Sequence, residues 1–306
     1  MELGIIITVM LLSTGDAYNI LIIHPTPSIS HQVPVMALTE SLIKKGHQLF
    51  VVSPNVVSGL EKNYTFVDMS FSYEHYEENI KNQRQTQRCK WENLNAYSLK
   101  SRTAELQFQH HEFLTFSQRV KEEQIKFDVV LVEMPFTAHG CAISRLLNGL
   151  LGPSPSSPSS TKPPPLISFA TLSSDEFVED HLGSISHRSF LPSISNPYTD
   201  RMSLWQKMDN WIASTYINYK VKNIMEQAAR KFFRETYGDE SLVDGCWANV
   251  SLSMTSSNFV YSYPRLLGPN VIELGPLHLG KRPEQLPQVG MSSSVRRDFL
   301  SFSSPV

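Results

Sequence analysis

The chain has 306 residues, 41% of them hydrophobic and 18% charged, with 27 basic against 29 acidic side chains. That length and apolar share support a real core in one large domain or two modest ones, and they exclude a disordered chain. A net charge of −2 argues against a nucleic-acid binder, which carries a basic excess. The three cysteines (Cys89, Cys141 and Cys246) make neither a disulfide framework nor a CxxC pair, so no structural zinc site is expected.

Gly4 to Leu12 (GIIITVMLL) is an apolar run followed by small and polar residues up to Ala17. It suits the h-region of a signal peptide over residues 1–17 and is too short to span a bilayer; the alternative is a buried first strand. Two sequons, Asn63-Tyr64-Thr65 and Asn249-Val250-Ser251, fit a secreted or lumenal chain. No later stretch approaches the roughly 18 consecutive apolar residues of a membrane span.

Asn19 to His24 (NILIIH) reads as a buried strand. The loop PTPSISHQV then leads to Pro34, suited to the first turn of a helix. Val35, Leu38 and Leu42 recur at helical spacing, Lys44 and Lys45 suit the negative helix end, and Gly46 is a stop. Gln48 to Ser53 is a second strand, so the chain opens with a βαβ unit and implies a parallel sheet. Tyr73 to Lys90 is polar and without period, and reads as a solvated helix or loop. A mixed helical stretch leads to a third strand, Phe127 to Val132, ending at Glu133.

Eleven of the thirteen residues from Pro153 to Pro165 are Pro or Ser. That composition packs no core and reads as an insertion in an αβ connection rather than an interdomain linker. It joins a short helix around Ala142 to Leu147 to another buried run, Leu166 to Leu172. Leu204, Met208, Trp211, Ile212, Thr215, Tyr216 and Tyr219 then form a stripe at helical spacing. Core packing is the expectation for it, ahead of a ligand wall. Val271 to Leu279 reads as a last strand before a polar tail.

His31 comes after the first strand, where a side chain reaches a cleft, since parallel sheets bind ligands at the carboxyl ends of their strands. A neutral imidazole there suits general-base catalysis, although a surface or capping role fits the position too. A base of this kind gains from a carboxylate that orients it, and Glu133 stands on the same edge, whereas Asp128 lies at the far end of its strand. Glu133 could equally be an ordinary charge where a strand meets solvent. No histidine, including His110 and His111, shows metal-ligand spacing, and no GxGxxG, GxxxxGK[ST] or GxSxG motif occurs.

The segment NILIIHPTPSISHQVPVMALTESLIKKGHQLFVVSP resembles the opening βαβ unit of UDP-glycosyltransferases of the UDP-glucuronosyltransferase family, the insect type above all. FDVVLVE, NPYTDRMSLWQKM and SSNFVYSYPRLLGPNVIELGPLHL support the resemblance in the same order. It implies an α/β, Rossmann-like parallel sheet with flanking helices, the N-terminal domain of a two-domain GT-B fold, here over residues 18–280 with a linker or tail at 281–306. His31 would deprotonate a small lipophilic acceptor hydroxyl, and Glu133 would be its acidic partner. Hexosyl transfer from a UDP-sugar would invert the anomeric carbon, with no metal and no cofactor, the UDP-sugar being a co-substrate. The resemblance sets Val306 near the domain junction, so the donor-binding half and the membrane anchor of the endoplasmic reticulum enzymes would lie outside this chain, and the half alone would be inactive. The other reading is a non-catalytic lumenal protein that binds lipophilic ligands or pairs with full-length relatives.

Overall fold

A computed structural model describes residues 17–77, 93–149, 163–171, 177–193, 196–258 and 262–280. The signal segment, most of the polar stretch after Tyr73, most of the Pro/Ser-rich insertion and the tail from 281 lie outside the described residues. Apolar runs with both faces buried make the central strands β1 (Asn19–Ile23), β2 (Gln48–Ser53) and β4 (Val129–Glu133). They are joined by β3 (Tyr64–Asp68), β5 (Leu166–Ala170), β6 (Val250–Thr255) and the short β7 (Val271–Glu273). All seven pair in parallel, in the order β3-β2-β1-β4-β5-β6-β7.

Strand alternation divides the core in two. Leu21, Ile23, Phe50, Val52, Val130 and Val132 point to one side, and Ile20, Ile22, Leu49, Val51 and Leu131 to the other. The second side is covered by α1 (Ile29–Lys44) through Val35, Leu38 and Leu42. The first is covered by α2 (Asn93–Gln109), α3 (His111–Glu122), α4 (Thr137–Leu147) and the long α5 (Leu204–Tyr237). Each fully buried Leu, Ile, Val or Phe stabilises this sandwich by about 1.5–3 kcal/mol relative to exposure.

Four expectations need correction. The first helix starts at Ile29, not Pro34, so His31 lies in its first turn. Gln32 pins that turn to the β1 loop, donating to the Thr26 carbonyl at 2.6 Å, and Pro34, inside the helix, offers the Ser30 carbonyl no N–H. The last strand stops at Glu273, because Gly275 takes a positive φ of 66° and Pro276 comes next. Cys141 and Cys246, 105 residues apart, form a disulfide that ties α4 to the approach to β6. Such a bond has no local signature.

The fourth correction concerns α5. Its capping box (Ser203 with Gln206) and its left-handed Gly238 set the two ends. The second half buries Val221, Met225, Ala229, Phe232 and Phe233 in the core. The aromatic stripe of the first half faces outward, with Trp205 76% and Tyr219 65% exposed. Periodicity shows that one face is apolar but not which way it points.

Candidate active site

Three adjacent strands end at one place. β1 delivers His24 just past Ile23, β4 delivers Glu133 as its last residue, and β5 delivers Thr171 just past Ala170. Strand order reverses direction between β1 and β4, where a crevice opens in a doubly wound sheet. The first turn of α1 brings His31 over this edge.

Glu133 is fully buried, and both of its oxygens are engaged. Oε1 lies 3.0 Å from His31 Nδ1, while Oε2 accepts the Thr26 backbone N–H at 3.0 Å and sits 3.5 Å from His24 Nδ1. Burial alone would raise its pKa, but the charge of His24, the hydrogen bond and charge of His31, and Lys100 outweigh it and hold the carboxyl at about 2. Burial also drives His24 toward its neutral form, against the pull of Glu133. The part of the carboxylate's stabilisation that needs a charged His24 fades accordingly, whereas the His31 and Thr26 hydrogen bonds persist. Lys100 of α2 has its pKa lowered by burial, with Glu133 opposing that shift.

With Nδ1 carrying the proton, His31 donates toward Glu133, with Thr171 Oγ1 a second acceptor at 2.9 Å from the same nitrogen. His31 keeps 17% of its side-chain surface in contact with solvent, and its Nε2 hydrogen-bonds to no described residue. An imidazole held this way presents a free lone pair to an incoming hydroxyl. Behind it, Ser53 Oγ donates to Gln32 Oε1 at 2.7 Å, and Gln32 Nε2 lies 3.0 Å from His24 Nδ1, so the support of the site is itself hydrogen-bonded.

Thus the two residues singled out in the sequence, His31 and Glu133, meet. Asp128 stands at the opposite edge, accepting the Asn19 backbone N–H at 2.8 Å. Sequence reasoning misses His24, Thr171 and Lys100. The signal for the first two is their position, one residue beyond the carboxyl end of a buried strand; Lys100 has no signal. Among the described residues no group of three His, Cys, Asp or Glu side chains could hold a metal ion, and none of the helices is long and apolar enough to cross a membrane.

A family model described as UDP-glucoronosyl and UDP-glucosyl transferase matches residues 19–294. The chain belongs to that family. It is 22% identical over 284 residues to UDP-glycosyltransferase UGT4 of Dactylopius coccus, covering 88% of this chain and 50% of that protein. It is 24% identical over 293 residues to mouse (Mus musculus) UDP-glucuronosyltransferase 1A7, covering 90% of this chain and 51% of the relative. Among solved structures, the glycotransferase of kitacinnamycin aligns with a TM-score of 0.44 at 12% identity, over 88% of this chain and 54% of the other. This UDP-glycosyltransferase family member therefore spans about half the length of the curated relatives it matches, and within the matched span lie all seven strands and the His31–Glu133 pair.

Proposed function

We propose that this chain is the acceptor-binding half of a GT-B UDP-glycosyltransferase, with His31 as general base and Glu133 as the carboxylate that orients it. The observation that carries the proposal is the 3.0 Å contact between His31 Nδ1 and Glu133 Oε1, with Nε2 left for substrate. A lipophilic alcohol or phenol gives its proton to Nε2 as its oxygen attacks the anomeric carbon of the sugar. The bond to UDP breaks on the opposite face, its electron pair leaves with UDP, and the configuration inverts. Glu133 stabilises the imidazolium that forms. The UDP-sugar is held by a second half of the kind the longer relatives carry, because the transition state needs both reactants positioned. The Cys141–Cys246 disulfide supports an oxidising, secretory compartment such as the endoplasmic reticulum lumen.

The test joins this chain to the donor-binding half of the Dactylopius coccus relative and assays UDP-glucose with 1-naphthol. The fusion is expected to turn over, the unfused chain is not, and His31→Ala is expected to lower turnover on the order of 10² to 10⁴-fold. Glu133→Gln lowers turnover through the same function, so the double variant is little worse than His31→Ala alone. An active fusion indifferent to His31→Ala overturns the assignment.

A further inference from the structure

The first half of α5 is amphipathic in the wrong sense for a helix packed only on its own protein. Its inward face is polar: buried Asn210 accepts from the Ser193 N–H at 2.8 Å and from Asn196 Nδ2 at 3.1 Å, and it donates to the Arg188 and Leu191 carbonyls at 2.7 and 2.8 Å. Those bonds tie Arg188, Leu191, Ser193 and Asn196 to the helix, alongside the small buried residues Ala213 and Ser214. The outward face carries Leu204, Trp205, Met208, Trp211, Ile212 and Tyr219, all exposed, with Tyr216 between the last two. A side chain of Trp or Tyr presents about 150–250 Å², so the four exposed rings alone leave on the order of 500 Å² in water. The largest apolar patch on a typical monomer is roughly 300–600 Å² in all.

We infer that this face of α5 docks on a bilayer surface, lying in the interface with its rings among the acyl boundary and headgroups. Three features select that occupant over a protein partner. Trp and Tyr couple an apolar body to an N–H or O–H, which suits a medium that is dry on one side and wet on the other. The face is the convex side of a single helix with long side chains, so it offers no pocket for the anchor residue of a protein. Its charge is also one-sided: between Leu204 and Tyr219 the only charged exposed residue is Lys207, while Asp209 turns aside to accept from the Tyr198 hydroxyl at 2.8 Å. At the far end Lys220 lies 5.5 Å from the Tyr216 ring centroid, leaving its ammonium able to reach headgroup phosphates. Because α5 runs antiparallel to the strands it connects, its first turns lie on the side of the carboxyl edge, where His31 stands.

The test uses the full chain and vesicles of phosphatidylcholine with and without phosphatidylserine, including a brominated lipid that quenches indole fluorescence on contact. Single-tryptophan versions retain Trp205, Trp211 or Trp247 in turn, the others being replaced by phenylalanine. Quenching of Trp205 and Trp211 but not of buried Trp247 is expected, with binding tighter when phosphatidylserine is present. Trp205→Gln with Trp211→Gln and Tyr219→Gln is expected to weaken partition on the order of 100-fold. Lys207→Gln is expected to weaken it about fivefold on phosphatidylserine vesicles alone. All three rings lie outside the core, so circular dichroism should be unchanged; should the triple variant fail to fold, the single-tryptophan quenching decides. Vesicle binding with Trp205 and Trp211 unquenched overturns the proposal, as does no vesicle binding at all. A lipid-free dimer abolished by the same triple variant, without vesicle binding, overturns it in favour of a second copy on this face. None of these readouts requires sugar transfer.

Discussion

Glu133 ends β4, and His139 sits in α4 just beyond it; neither side chain reaches solvent, yet burial acts on them in opposite ways. Glu133 meets two imidazoles and a backbone amide, so its charged form survives and its carboxyl titrates at about 2. Among the described residues the one hydrogen-bond partner of His139 is Ser101 Oγ, 3.2 Å from its Nε2, and its Nδ1 has none. Burial therefore holds it neutral, with a pKa of about 3. Whether a buried ionisable group keeps its charge is decided by its partners, not by depth. Glu133 is equipped to stabilise a proton nearby; His139 is part of the packing between α4 and α2.

The largest effect should come from the disulfide on α4. The Cys141–Cys246 bond closes 105 residues and lies beside Arg145, whose guanidinium donates to the Leu242 and Asp244 carbonyls at 2.7 and 2.8 Å. Replacing both cysteines by serine is expected to cost about 2–5 kcal/mol, seen as a large fall in melting temperature. An unchanged melting temperature would show that the arginine and the apolar contacts hold α4 without it.

At Glu133 the expected loss is smaller and tied to pH. Glu133→Gln keeps the shape but replaces a carboxylate that accepts two hydrogen bonds, from His31 and from the Thr26 N–H, for a cost of about 2–3 kcal/mol at neutral pH. The folded pKa lies below the ordinary value of 4.5, so the carboxylate's stabilisation is complete above 4.5 and is lost as pH falls from there through about 2. Urea unfolding of the wild-type chain should show that acid limb, and the Gln variant should lack it.

The two regions are not equally legible in the sequence. β1, β2, β4 and β5 can be read there because burial on both faces leaves continuous apolar runs, and His31 and Glu133 stand out because each is placed by where such a run ends. β3 and β6 escape notice: in VSLSMT of β6 the buried Ser253 and Thr255 interrupt the apolar pattern that a central strand would show. His24 reads as the last residue of an apolar strand, since nothing local reveals that a carboxylate from β4 stands 3.5 Å away. The disulfide and the outward turn of the α5 stripe depend on tertiary placement alone, which no spacing encodes.

Between the two regions lies Gly140 of α4, packed against Val132 of β4. A Cβ there would stand 2.6 Å from both methyl groups of Val132, a short branched side chain with no room to swing away. Gly140→Ala is expected to cost about 1–3 kcal/mol through overpacking, in spite of alanine's better helix propensity. Val132→Ala in the same chain should recover part of the loss, so a double-mutant cycle should give a coupling of opposite sign to the single losses. Additive losses would mean that α4 moves as a body instead.

The smallest effect, and the sharpest test of the contrast, is at His139. Its folded pKa of about 3 lies below the ordinary 6.5, so between those values the unfolded chain binds a proton that the folded chain refuses. Stability should therefore be fully present above 6.5 and fall as pH drops, by at most about 1.4 kcal/mol per pH unit. At pH 5 that amounts to roughly 2 kcal/mol at most, above the range where Glu133 begins to titrate. His139→Phe removes the titration, keeps a ring of similar bulk beside Phe136, and leaves Ser101 its hydrogen bond to Glu105 Oε1 at 3.2 Å. The variant should match the wild-type chain within about 1 kcal/mol at pH 7.5 and exceed it at pH 5. Equal pH dependence in the two proteins would place the acid sensitivity on His24 instead, the other fully buried imidazole whose pKa burial lowers. The limb between pH 6.5 and 5 would then belong to the Glu133 cluster after all.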